Sequence, residues 1–265
     1  MLYFEKRIHC QPRINGPAVV FLHAFPLNSA MWEPQAEELY QRGIPYLTLD
    51  YPGFGLSPPL DEPPAMGTLA KEVFKLLNAT GVTKAVLVGL SMGGYLALAM
   101  LRLHPDRIHG LILANTRAAA DSEEGRRRRF GLIEQLHYDN SLDGLIELHL
   151  NKFFTEETRE NNPALVHEVK QIMQANSVTG CIHALEAMAG REDSYGLLRT
   201  ADFPVLVIAG DRDEFVAPKE CEEMVKALPE GKLKVIPNCA HLSNIERSEQ
   251  FNQMVGSYLE ALKLF

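Results

Sequence analysis

The chain has 265 residues, 46% apolar and 23% charged, which is ordinary for a globular protein with ample material for a core. Its net charge of −8 and its lack of any basic tract beyond one short run exclude a nucleic-acid partner. No apolar stretch approaches the roughly 20 residues of a membrane span.

Cys10, Cys181, Cys221 and Cys239 have no paired spacing and no C-x-x-C, so neither a zinc site nor a disulfide framework is expected. The first residues, Met1-Leu-Tyr-Phe-Glu-Lys-Arg7, carry charge where a signal peptide needs an apolar core, which predicts a cytoplasmic, soluble protein.

Leu2–Ile8 alternates weakly and reads as a first, edge strand, with a turn at Asn15-Gly-Pro17. Ala18–Leu22 is a continuous apolar run of strand length that ends at His23-Ala-Phe-Pro26. Asn28 or Ser29 then caps a helix whose Met31, Trp32, Ala36 and Leu39 share one face before Gly43. Ile44–Leu49 predicts a strand. The loop Asp50-Tyr-Pro-Gly-Phe-Gly-Leu-Ser57 follows, kept irregular by Pro58, Pro59, Pro63 and Pro64. Thr68–Ala79 has helical spacing at Leu69, Val73, Leu76 and Leu77, closed by Gly81. Further strands are expected at Ala85–Val88 and Ile108–Ala114, with a helix over Tyr95–Leu103 that stops before Pro105. Strands alternating with helices indicate βαβ units and a mostly parallel central sheet flanked by helices, an α/β fold.

At about Arg117 the texture changes. From there to Thr200 apolar residues recur at helical intervals: Leu142, Leu145, Ile146, His149 and Leu150; then Val166, Val169, Ile172 and Met173; then Ile182, Leu185, Met188 and Ala189. Strand rhythm resumes at Pro204–Gly210 and Lys232–Ile236. The chain therefore reads as a core, residues 1–116 and 201–265, with a helical lid, residues 117–200, inserted in it. The run Arg126–Arg129 reads as the solvated start of a lid helix. The alternative is that one of these arginines, or Arg191, reaches down to a substrate carboxylate.

Gly89-Leu-Ser-Met-Gly93 matches the nucleophile-elbow pattern G-x-S-x-G between a predicted strand and a predicted helix. The glycines let strand and helix approach while Ser91 sits on a strained turn at a helix N-terminus that favours negative charge. A serine hydroxyl needs a base, and the base needs an orienting acid, in the order Ser, acid, His. Gly210-Asp-Arg-Asp-Glu-Phe-Val-Ala-Pro218 follows one strand and offers Asp211 and Asp213; Asn238-Cys-Ala-His-Leu-Ser243 follows the last and offers His241. Active groups in open α/β sheets gather at the carboxyl ends of strands, so the three segments can converge.

These motifs resemble those of the α/β-hydrolase superfamily from about Pro17 onward. Leu22-His-Ala-Phe-Pro26 is similar to its His-Gly-x-Pro oxyanion turn and Asp50–Ser57 to its D-x-x-G-x-G-x-S loop. Gly89–Gly93 resembles its elbow, and Gly210-x-x-Asp213 with Ala240-His241 its acid and base. Ala24 and Ala240 stand where the family has glycine.

The resemblance implies a triad of Ser91, Asp213 and His241, with Asp213 rather than Asp211 because the acid falls three residues past the strand-end glycine. Asp211 is expected to hydrogen-bond the turn. Some relatives carry the acid one strand earlier, but Ala114-Asn115-Thr116 has no carboxylate there. The oxyanion donors are the backbone N–H groups of Met92 and, by the family's pattern, Phe25. His23 is then a structural residue of the oxyanion turn, and His104, His109, His137, His149, His167 and His183 are surface or core residues.

A serine at the elbow implies acyl transfer to water. The motifs look most like those of small carboxylesterases, enol-lactonases and cofactor-free haloperoxidase-type perhydrolases. The segment Ala187-Met-Ala-Gly-Arg-Glu-Asp-Ser194 resembles that group as well. A small-molecule ester or lactone is the expected substrate, cleaved through an acyl-enzyme on Ser91. No metal, nucleotide or flavin site is visible, and no cofactor is expected, since Gly53 and Gly55 lack dinucleotide-fingerprint spacing. Two other activities fit the same residues: a carbon–carbon bond hydrolase, and a small-ligand sensor that signals to a partner protein.

Overall fold

A computed structural model describes residues 4–7 and 14–264. Leu2, Ile8 and Cys10 lie outside the described residues. The strands are β1 (Phe4–Arg7), β2 (Gly16–Leu22), β3 (Tyr46–Leu49), β4 (Val82–Leu90), β5 (Ile108–Ala114), β6 (Val205–Gly210) and β7 (Gly231–Ile236). They form one sheet in the order β1-β3-β2-β4-β5-β6-β7. β1 pairs antiparallel with β3 at one edge, and the other neighbouring pairs are parallel. The expected mostly parallel sheet is the one found.

β2, β4, β5 and β6 are the near-continuous apolar runs of strands covered on both faces. Helices α1 (Glu33–Gln41), α2 (Met66–Thr80) and α3 (Met92–Leu103) connect the first strands. α2 ends on Gly81 at φ 77°, the left-handed cap that glycine adopts without strain. α3 packs on β2, β4, β5 and α2. Trp32 is fully buried, its ring 5.0 Å from Phe21 and 6.1 Å from Phe251.

Between β5 and β6 the described chain is helical: α4 (Glu123–Asp139), α5 (Asp143–Phe153), α6 (Glu156–Asn161), α7 (Pro163–Gln174), α8 (Val178–Ala189) and α9 (Tyr195–Leu198). Side-chain oxygens of Ser122, Thr155, Asn162 and Ser177 cap four of these helices. Then come α10 (Pro218–Ala227), α11 (Ser243–Glu246) and α12 (Ser248–Leu262). None of the helices among the described residues is long and apolar enough to cross a membrane.

The insertion is fastened to the core by polar contacts. Asn176, between α7 and α8, donates from Nδ2 to the Pro26 carbonyl (2.8 Å) and accepts at Oδ1 from the Gly55 N–H (2.8 Å) and Asn28 (3.1 Å). Ser177 N–H donates to Gly53 O, and a Cβ on Gly53 would sit 2.4 Å from Gly180 Cα, so loop and helix meet backbone to backbone. Residues far apart in sequence thus set the position of the loop that follows β2.

Candidate active site

Four strands of the sheet, β2, β4, β6 and β7, end just before the predicted site residues. Ser91 follows β4 at φ 55°, ψ −114°, a strained conformation for a residue with a side chain. It is fixed from both sides: its N–H donates to Ala114 O (2.9 Å), and its carbonyl accepts from Thr116 Oγ1 (2.8 Å) and Gly94 N–H (2.9 Å). Its hydroxyl makes no capping bond to α3. A Cβ on Gly89 would lie 2.4 Å from Gly93 O, so the turn tolerates only glycine there.

His241 follows β7 and Asp213 follows β6. His241 Nδ1 lies 2.8 Å and 3.0 Å from the two oxygens of Asp213. A carboxylate only accepts, so Nδ1 carries the proton and Nε2 holds a lone pair. Both side chains are buried. Burial disfavours the Asp213 charge. The His241 imidazole, with Asn115 and the Val216 N–H, outweighs that and holds the carboxyl below its usual range. Asp213 Oδ1 also accepts from the N–H groups of Phe215 (2.8 Å) and Val216 (3.1 Å). Asp211 instead accepts from Cys239 N–H (3.1 Å) and holds the turn before His241.

The residue sequence reasoning passed over is Asn115. Its Nδ2 donates to Asp213 Oδ2 (2.9 Å) and Ala240 O (3.3 Å), and its Oδ1 accepts from Ser243 Oγ (2.6 Å). It therefore fastens the acid to the histidine loop. Its signal was the position itself: the residue after β5, noticed only for lacking a carboxylate. Glu246 was missed as well. It accepts from Ala240 N–H (2.6 Å) and from Thr155 N–H and Oγ1 (2.8 Å each), tying the same loop to the insertion. Nothing in its local sequence distinguishes it.

The turn after β2 lies beside the start of α3. A Cβ on Gly93 would fall 1.9 Å from Leu22 O, which shows how closely the two backbones approach. Met92 is the first residue of α3, and its N–H is one of the four that a helix leaves without an internal acceptor. Phe25 N–H has no hydrogen-bond partner among the described residues. His23, fully buried, accepts at Nε2 from Tyr51 N–H (3.1 Å) and donates from Nδ1 to Ala24 O (3.1 Å). Burial lowers its pKa from 6.5 to about 4 against the pull of Asp50, so it is a neutral clamp between this turn and the next loop. Asp50 accepts from Ser29 N–H (2.8 Å) and Leu56 N–H (3.0 Å), which closes that loop.

Ser91, His241 and Phe25 line one cavity of about 540 Å³. No hydrogen bond joins Ser91 Oγ to His241 Nε2 among the described residues; such contacts commonly tighten only when substrate is bound. Much of the remaining wall comes from the insertion, including Leu132, Leu148, His149, Lys152, Phe153, Leu185 and Met188. His149, expected to be a surface or core residue, is buried and faces this cavity.

Of the arginine run, Arg126, Arg127 and Arg128 are exposed, and the latter two pair with Glu123 and Glu124 on the same helix. Arg129 turns inward to Asp121, which also holds the buried Arg191 at 2.6 Å. The Arg191 guanidinium lies 4.1 Å over the Tyr95 ring. Among the described residues no group of three or more His, Cys, Asp or Glu side chains is placed to hold a metal ion.

A family model described as the alpha/beta hydrolase fold matches residues 17–248. A solved structure of a thermophilic esterase from Thermogutta terrifontis, with malate bound, is similar at a TM-score of 0.91 and 32% identity, covering 98% of this chain and 93% of that one. The enol-lactonase from Burkholderia xenovorans LB400 is similar at a TM-score of 0.88 and 25% identity, covering 98% and 96%. In sequence, 3-oxoadipate enol-lactonase 1 of Acinetobacter baylyi is 28% identical over 249 residues, covering 94% of this chain and 91% of that protein. With the model match spanning most of its length and these strand ends carrying the family's motifs, the chain belongs to the alpha/beta hydrolase fold family.

Proposed function

We propose that this protein is a serine hydrolase that cleaves a small carboxylic ester or lactone through an acyl-enzyme on Ser91. The observation that carries the reading is the buried Asp213–His241 pair, bonded at 2.8 Å, facing the same cavity as a serine held at φ 55°. His241 Nε2 takes the Ser91 proton as Oγ attacks the substrate carbonyl, then returns it to the leaving alcohol. Asp213 keeps the Nδ1–H tautomer and stabilises the imidazolium. The N–H groups of Met92 and Phe25 receive the negative charge that develops on the carbonyl oxygen. Water, activated by His241, then releases the acid.

The names of the similar proteins, an esterase and enol-lactonases, support this substrate class. Residues 117–200 act as a lid over a core of residues 1–116 and 201–265, and they set which acyl and alcohol groups fit. A cavity of about 540 Å³ suits a small substrate.

Hydrolysis of p-nitrophenyl acetate or butyrate tests the proposal. Ser91→Ala should lower kcat by on the order of a millionfold with its melting temperature preserved. Unchanged turnover in that variant would sink the mechanism. Labelling of Ser91 by a fluorophosphonate without turnover of any ester would point instead to a ligand sensor.

A further inference from the structure

His149 is a buried side chain of the cavity wall that the proposed chemistry leaves unused. Its Nδ1 lies 2.8 Å from the Leu145 carbonyl, one turn earlier on α5. A carbonyl only accepts, so Nδ1 carries the proton and Nε2 presents a bare lone pair. No described residue donates to that nitrogen. It is not sealed inside the protein either, in contrast to His183 Nδ1, which is buried without a partner. Nε2 is therefore within reach of solvent, on a residue that lines the cavity.

The ring is held in place on three sides. It stacks on Phe215 at 5.4 Å and 18°, and meets the edges of Phe25 at 5.6 Å and Phe153 at 5.5 Å. The same Phe153 and Phe215 rings flank His241 at 5.8 Å and 4.8 Å. The rings of His149 and His241 are thus packed against the same two phenylalanines.

The cationic groups of the wall already have carboxylate partners. Arg117 pairs with Glu220, Arg128 with Glu124, Arg129 with Asp121 and Lys152 with Glu214. His149 Nε2 is a pre-oriented, unpartnered acceptor among them. A polar atom of this kind is paired by water or by substrate, and a substrate lacking the matching donor leaves it unpaired.

From this geometry we propose that His149 Nε2 accepts a hydrogen bond from a substrate hydroxyl and selects hydroxylated esters over isosteres with a methyl group there. The inference rests on the hydrolase reading of Ser91. Burial, the largest cause, outweighs the Leu145 carbonyl and, with the charges of Arg129, Lys152 and His241 when protonated, lowers the His149 pKa from 6.5 to about 4. The nitrogen therefore stays an acceptor over the whole neutral range.

Two isosteric pairs test it and separate the two sides of the ester. p-Nitrophenyl β-hydroxybutyrate against p-nitrophenyl isovalerate reads the acyl side, and ethylene glycol monobutyrate against propyl butyrate reads the alcohol side. In the wild-type protein the hydroxylated member of one pair should have a kcat/KM about three- to tenfold higher than its isostere. In His149→Phe that ratio should collapse to about one. In His149→Gln, whose amide oxygen still accepts, part of it should survive. A packing role would instead lower both members together and leave the ratio intact.

Wild-type ratios of about one in both pairs, or ratios that persist in both variants, overturn the proposal. The wild-type ratio decides even if a variant does not fold. If no ester turns over and Ser91 resists fluorophosphonate, the hydrolase reading itself fails and this inference with it. Turnover with flat ratios overturns this inference alone.

Discussion

Gly93→Ala isolates the close approach on which the proposed oxyanion geometry depends. Gly93 is the second residue of α3, and its backbone is helical, so alanine meets no conformational objection there. The obstacle is space. An added Cβ would sit 1.9 Å from Leu22 O, 2.6 Å from Leu22 C and 3.0 Å from His23 O, against the 3.4 Å at which ordinary contact begins. These are backbone atoms and cannot rotate away, so helix and turn must part by more than an ångström. Met92 N–H stands on one side of that seam and Phe25 N–H on the other. Displacing a positioned group by about 1 Å costs roughly 10²-fold, and losing an oxyanion donor costs about 10²–10³. The expected result is a fall in kcat for p-nitrophenyl butyrate of about 10²–10³, with KM much less affected and about 1–3 kcal/mol of stability lost to overpacking. Gly67→Ala is the control, because its Cβ would meet nothing within 4 Å. It should hold kcat within about twofold and gain up to about 1 kcal/mol. A Gly93→Ala protein with near-wild-type kcat would refute the assignment of the oxyanion donors, even if its melting temperature fell.

Asn115→Gly removes the side-chain donor to Asp213 while suiting the positive φ of 45° at that position. Loss of a hydrogen bond to a charged group costs about 1.5–3 kcal/mol, so kcat/KM should fall about ten- to a hundredfold; Asn115→Gly with wild-type kinetics would show that Asp213 needs no such support. Acid sensitivity follows from His23 and His149, both lowered from 6.5 to about 4 in the folded protein. Between those values the unfolded chain binds more protons than the folded one, so their contribution is complete above pH 6.5 and is lost as pH falls toward about 4. At about 1.4 kcal/mol per unit, each should cost on the order of 3 kcal/mol across that window. Urea denaturation as a function of pH measures it, and a curve flat between pH 7 and 4.5 would contradict both burials.

Much of the proposed site was legible because the chemistry proposed for it demands particular residues at strand ends. Ser91 and Asp213 follow apolar runs too short for a helix, His241 follows the short alternating strand β7, and the strained turn at Ser91 needs glycine on both sides; such requirements leave marks in the sequence. Asp211 was separable from Asp213 by offset alone, and the structure gives it the turn-holding bond expected of it. Asn115, Asn176 and Glu246 left no motif, because each acts through hydrogen bonds to groups that only the folded chain brings near: Asp213 and Ser243, the Pro26 carbonyl, and Thr155. A lone asparagine or glutamate at the end of a helix or strand is a common residue, and only the folded chain shows what it meets.

His149 failed to declare itself for a related reason. In the sequence it falls on the apolar face of α5 with Leu145 and Ile146, where a histidine reads as core. It is indeed buried, and that is why the periodicity was uninformative: the face that packs against the core is also the face that closes the cavity. Helical spacing reports which side of an element is covered, not whether protein or substrate covers it. In an insertion roofing a cavity the two coincide, so a polar residue inside an apolar stripe is a candidate for contact with the bound molecule. Leu148 and Lys152 border the same cavity from α5 but are each substantially exposed. Of the polar side chains that α5 turns toward that cavity, His149 alone is both buried and without a partner on its free nitrogen, which is why the discrimination test is aimed there.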